Sequence, residues 1–206
     1  MPIRANDRVL IVGSTGSGKT VLALALFSAM RPRRLLIDPK GEHHLPGVRR
    51  CSRVSRLDLE ARAAHFVPAR GDDAEWEELF ERVWAGRRLP RVIHIDEAFG
   101  PTRAGKAPAG LRLMIQQGRA LRQGIIACTQ RPVNIESTLR TEADHVICFD
   151  ITAIDRRHLA ADMGLEPDQL ERELAEVHAR YGRHGHLWWD RAHRRLTRCP
   201  PVPLAS

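Results

Sequence analysis

Gly13-Ser14-Thr15-Gly16-Ser17-Gly18-Lys19-Thr20 has the spacing G-x-x-x-x-G-K-[ST]. An apolar run at residues 9–12 precedes it and a helix-prone stretch at residues 21–30 follows. That order predicts a strand, a glycine-rich turn and the start of a helix. Glycines let successive backbone N–H groups face one concavity, and the helix beginning there adds the positive end of its dipole, so the stretch suits a phosphate. Lys19 is placed to reach the β- and γ-phosphates of a nucleoside triphosphate, ATP, and Thr20 to set its hydroxyl on Mg²⁺. A turn that binds nothing would not call for all of these residues in this context.

The length, 206 residues, suits one α/β domain over 1–206: a core at about 8–150, helices and a hairpin at 151–199, and a proline-rich tail at 200–206. A formal charge of +8 favours polyanionic partners, although the nucleotide is itself one. Only Lys19, Lys40 and Lys106 are lysines among the 33 basic residues, an arginine bias that coding composition explains as readily as phosphate recognition. Cys51, Cys128, Cys148 and Cys199 form no C-x-x-C pair and read as free thiols in a reducing compartment. His43, His44, His178, His184 and His186 have no partner cysteines or H-E-x-x-H spacing, so the expected metal is the nucleotide's Mg²⁺ alone. The apolar stretch 21–30 is too short to span a bilayer, and the protein reads as soluble and cytoplasmic, without direct membrane insertion.

Further along, Arg31-Pro32-Arg33-Arg34 breaks the first helix, and a second strand at 35–37 ends in Asp38-Pro39-Lys40-Gly41-Glu42. Carboxyl ends of parallel strands are where open α/β sheets bind ligands, but composition alone makes this a surface turn. Residues 43–64 carry mixed signals, with a short helix expected at 57–64. A strand is expected at 65–68, then a helix from Asp72-Asp73 to Gly86 whose Trp76, Leu79, Phe80, Val83 and Trp84 recur at helical spacing as core.

Residues 91–97 read R-V-I-H-I-D-E, a buried parallel strand ending in two adjacent carboxylates. Beside a phosphate loop this is a Walker B strand: Asp96 would hold Mg²⁺, and Glu97 would orient and deprotonate the attacking water. The stretch 99–110, rich in glycine and proline, is an irregular basic loop in which Arg103 and Lys106 could meet DNA. A helix at 111–122 follows, with Leu111, Ile115 and Leu121 on or near one face. A strand at 124–129 runs into Gln130-Arg131-Pro132, where Gln130 is placed to touch the γ-phosphate or the lytic water. The rest reads as a strand at 145–149, helices at 153–163 and 167–181, a hairpin over 186–189 and 194–198, and a stiff Pro200-Pro201-Val202-Pro203 tail able to dock on a neighbour.

Together, the phosphate loop, Asp38-Pro39-Lys40-Gly41, Asp96-Glu97, and Gly118-Arg119 followed by the Thr129-Gln130-Arg131-Pro132 ending resemble the FtsK-HerA superfamily of DNA-pumping ATPases. The resemblance covers most of residues 8–150. It implies a RecA-like P-loop NTPase fold of the additional-strand catalytic glutamate type, with a mostly parallel central sheet flanked by helices and a C-terminal β-hairpin. Gln130 would contact the nucleotide region, and Arg119 would reach the next subunit's nucleotide as an arginine finger, with Arg122 and Arg140 as competing candidates. It further implies a homo-oligomeric ring, most often a hexamer, around double-stranded DNA. The compact length resembles the genome-packaging ATPases of membrane-containing icosahedral viruses, which would make the host cytoplasm its setting and a capsid or membrane-vertex protein its partner. Conjugative or phage-extrusion DNA transfer is the alternative motor task, and a P-loop kinase acting on a small molecule is the alternative chemistry.

Overall fold

The computed structural model describes residues 3–102 and 106–203. The apolar run before the glycine-rich turn forms β1 (Arg8–Val12), a strand buried at every position, and the helix after it is α1 (Lys19–Ala29). The chain continues through β2 (Arg33–Ile37), β3 (Arg50–Cys51), β4 (Ala63–Phe66), α2 (Asp73–Ala85), β5 (Arg91–Ile95), α3 (Ala109–Gln117), β6 (Gln123–Thr129), α4 (Ser137–Thr141) and β7 (His145–Cys148). It ends with α5 (Ala153–Met163), α6 (Pro167–Tyr181), β8 (His186–Asp190) and β9 (Arg195–Cys199). One sheet joins all the strands in the order β3-β4-β2-β5-β6-β1-β7-β8-β9. From β3 to β7 neighbours run parallel; β8 and β9 add antiparallel. The mostly parallel sheet with its C-terminal hairpin is the architecture expected from the sequence.

Alternation along the strands divides the apolar residues between two faces. Leu10, Val12, Ile93, Ile95 and Ile125 pack under α2 to α6, whereas Val9, Ile11, Val92 and Ile126 pack against Leu22, Ala23 and Phe27 of α1. The α1 face is too wide for one helix. Leu45, Trp188 and Val202 help to cover it, so the tail docks on its own chain rather than being left for a neighbour.

Helix ends follow local chemistry. Asp72 caps α2 by accepting from the Glu75 amide at 2.9 Å, and Gly164 closes α5 at φ 68°. The expected helix at 57–64 does not form: a 3-10 turn spans Val54–Arg56, Leu57 plugs the core, and Asp58 accepts from the Glu60 and Ala61 amides in a side-chain turn that competes with helix. The strand expected at 65–68 begins two residues earlier, and β3 and α4 were not anticipated. The expected helix at 111–122 divides into α3 and a 3-10 turn at Gly118–Leu121, which leaves Leu121 38% exposed while Leu111 and Ile115 are buried. In the loop after β5, Lys106 is exposed; Arg103 lies outside the described residues.

Candidate nucleotide-binding site

The carboxyl ends of β5, β6 and β1 converge on the glycine-rich loop. Its entry is fixed by the Gly13 amide donating to Thr129 O at 3.3 Å and the Ser14 amide to Asp150 O at 2.7 Å. Gly16 and Gly18 adopt φ values of 73° and 106°, left-handed conformations that turn the backbone back on itself and that a side chain would strain. Lys19 Nζ donates to Ser14 O at 2.9 Å, bridging the loop from inside. Burial lowers the Lys19 ammonium pKa, against the raising influence of Glu97 and Asp96.

Thr20 Oγ1 donates to Asp96 Oδ1 at 3.1 Å, joining the first turn of α1 to the end of β5. Burial pushes the Asp96 carboxyl up, but His43, His94 and the Thr20 hydroxyl outweigh it and hold Asp96 below the ordinary carboxylate value. Its neighbour Glu97 moves the other way: burial raises its pKa, and the Phe99 amide, Lys40 and Lys19 offset this only in part. Two adjacent carboxylates thus differ, Glu97 binding a proton more readily than Asp96.

The Thr20 and Asp96 oxygens are the donor type that Mg²⁺ takes. The softer donors nearby do not compete well. Burial pushes the Cys128 thiol well above its ordinary pKa, so it supplies no thiolate, and His94, whose Nδ1 is on Ile126 O at 3.0 Å, offers its Nε2 3.8 Å from Asp96 as a nitrogen donor that Mg²⁺ takes less readily than oxygen. These residues fit the ion.

The turn after β2 is not a surface turn. Asp38 is 0% exposed and accepts from the amides of Gly41, Glu42 and His43 at 2.9, 3.3 and 2.9 Å, with His65 Nε2 at 3.1 Å. Folding around this carboxylate delivers His43 Nε2 to 2.8 Å from Asp96 Oδ2, and that contact raises the His43 pKa. Sequence reasoning missed His43; the available signal was a carboxylate at the carboxyl end of a parallel strand.

Gln130, at the end of β6, accepts from Thr15 Oγ1 at 3.1 Å and so lies against the loop. Arg119 does not join this cluster. It sits before β6, at the amino edge of the sheet, where its guanidinium lies 3.0 Å from Asp144 and remains 53% exposed. Arg122 occupies the same edge, and Arg140 is held by Asp162 and Pro132 O, each at 2.8 Å. Beside the loop lies a mostly apolar cavity of about 520 Å³, lined by residues of the loop and the start of α1 together with Val21, Phe149, His184, Pro201 and Val202, with room for more than a nucleobase. None of these five was read from the sequence as part of the site, because four of them lie 129 residues or more from Thr20 and carry no motif.

No protein-family model matches the chain. Protein P9 of Pseudoalteromonas phage PM2 is 24% identical over 178 residues, 82% of this chain and 81% of its own length. Among solved structures, the genome packaging NTPase B204 from Sulfolobus turreted icosahedral virus 2, in complex with sulfate, superposes with a TM-score of 0.78 at 17% identity, covering 98% of this chain and 99% of B204. B204 has also been solved with AMPPCP, AMP and ATP-gammaS. VirB4 of Thermoanaerobacter pseudethanolicus superposes with a TM-score of 0.70 at 11% identity, covering 96% and 90%. The chain has the P-loop ATPase fold of B204, which VirB4 also shares in outline.

Proposed function

We propose that this chain is a Mg²⁺-dependent ATPase that moves double-stranded DNA as a homo-oligomeric ring, and that its task is packaging a viral genome into a preformed capsid. The observation that carries the reading is the Thr20–Asp96 contact at 3.1 Å with Glu97 beside it, at the mouth of a loop bearing Lys19. Inward-facing amides and Lys19 bind the phosphate chain. Mg²⁺, held by Thr20 and Asp96, would supply charge neutralisation on the phosphate oxygens. Glu97, its basicity raised by burial, orients a water and takes its proton; Gln130, anchored on Thr15, senses the γ-phosphate position.

Adjacent carboxylates at the strand end favour water as the acceptor over a small molecule, which would need an acceptor pocket and a lid of arginines. Arg119, at the sheet edge opposite the phosphate loop, is out of reach of its own nucleotide. A role as arginine finger therefore requires a neighbouring subunit, and its exposure and single partner leave it free to be handed over. Packaging is favoured by the end-to-end match with B204.

The test is the fate of the γ-phosphate of labelled ATP. We expect release as inorganic phosphate, stopped by EDTA and by Lys19→Ala. Transfer to an added small acceptor, or turnover unchanged in Lys19→Ala, would contradict the reading.

A further inference from the structure

The turn between α6 and β8 reaches across to the phosphate loop, and the chemistry above makes no use of that contact. Arg183 Nη2 donates to Gly16 O at 2.7 Å, and His184 Nδ1 lies 3.1 Å from Ser17 O. A carbonyl can only accept, so His184 Nδ1 carries the proton. Two consecutive side chains grip two consecutive carbonyls 167 residues away.

The C=O and N–H of one trans peptide point in opposite directions. Holding Gly16 O therefore fixes the Ser17 amide on the opposite side of the same peptide, where it donates to Ser14 O at 3.3 Å and closes the turn around the carbonyl that Lys19 also takes. Holding Ser17 O likewise fixes the Gly18 amide, which points away from His184 across the same peptide. Without such a grip, peptides flanked by glycine rotate freely and lose that freedom only when a ligand orders them. The gripping turn is itself well anchored. The Gly182 amide donates to His178 O at 2.9 Å and the Gly185 amide to Gly182 O at 3.0 Å, while His186 stacks on Phe149 with ring centroids 4.9 Å apart.

We infer that Arg183 and His184 are positioning residues that hold the phosphate loop in its anion-binding form before nucleotide arrives, and so set the affinity for the β-phosphate. The inference rests on the nucleotide reading above. It concerns the phosphate chain, not the base, although His184 also walls the cavity beside the loop. Arg183, which does not, separates the two effects.

The experiment is calorimetric titration of the full chain with AMP, ADP and ATP in Mg²⁺, comparing the unsubstituted protein with Arg183→Ala, Arg183→Lys, His184→Ala and Lys19→Ala. Losing one charge-assisted hydrogen bond to the loop should weaken ADP and ATP alike by about tenfold in Arg183→Ala. AMP, which has no β-phosphate, should lose clearly less, its remaining binding reporting an intact fold, and Arg183→Lys should recover most of the loss. A loss confined to ATP would mean that Arg183 touches the γ-phosphate directly, and an equal loss on AMP would mean a base contact; either overturns the inference. So would ADP and ATP binding unchanged in both Arg183→Ala and His184→Ala while Lys19→Ala loses it. An unsubstituted protein that binds no nucleotide, or a Lys19→Ala variant that binds as well, would instead remove the nucleotide reading itself.

Discussion

Glu97 and Asp96 are chemically alike and neighbours in sequence, yet burial outweighs the nearby Lys40 and Lys19 and raises the Glu97 pKa, while His43, His94 and Thr20 hold Asp96 below the ordinary value. Glu97→Gln keeps the shape and removes the base, so ATP should still bind while hydrolysis falls by about 10²–10⁴-fold. Equal hydrolysis would demote Glu97 to a structural carboxylate. A second prediction concerns Asp144 at the opposite edge. Burial raises its carboxyl, but the Arg8 side chain and amide together bring it below the ordinary value. A depressed folded-state pKa contributes stability that is complete above the unfolded carboxylate pKa and is lost as pH falls through the lower, folded value. Asp144→Asn should therefore cost about 1–3 kcal/mol at neutral pH, because it leaves the mostly buried Arg8 guanidinium short of a partner, with the difference shrinking in acid. Denaturant melts of both proteins at neutral and acid pH measure it; a gap that widens in acid would contradict the assignment.

At the scale of elements, α2 and α3 meet where Gly110 leaves room for backbone. A Cβ there would collide with the Phe80 carbonyl, and this atom cannot swing away as a side-chain tip could. Gly110→Ala should destabilise by about 1–3 kcal/mol despite its helix-favouring residue. A melting midpoint equal to or above that of the unsubstituted protein would show that the helices part without cost. The same contrast between local and distant causes explains what could be read from the chain. The phosphate loop, β5 with its two carboxylates, the α2 stripe and the C-terminal helices declare themselves because spacing and caps within one segment determine them. Residues 43–64 were illegible because Leu57 owes its place to the core, and the Asp38 turn to His65 and Asp96 across the chain, while the 57–64 stretch gave up helix for a local Asp58 side-chain turn. Arg183, His184 and Val202 were missed for the same reason: their partners lie across the chain.

For the whole molecule, the sheet has the glycine-rich loop at one end of the parallel strands and Arg119 at the other, a separation that the proposed ring would use if neighbours complete each other's sites. Arg119→Ala should bind ATP normally and fail to hydrolyse it. Mixing it with Lys19→Ala should restore part of the activity, since an interface in which an Arg119→Ala subunit presents its loop to the Arg119 of a Lys19→Ala subunit is intact, while the reverse pairing stays inactive. Absence of recovery would argue against action across subunits. No helix among the described residues is long and apolar enough to cross a membrane, and the net charge of +8 suits a duplex whose backbone carries the opposite sign. The measurement that bears most directly on the proposed motor is steady-state ATP hydrolysis with and without duplex DNA, over a range of protein and salt concentrations. A DNA-translocating ring predicts stimulation by DNA that rises more steeply than linearly with protein and disappears at high salt; a rate indifferent to DNA and linear in protein would contradict it.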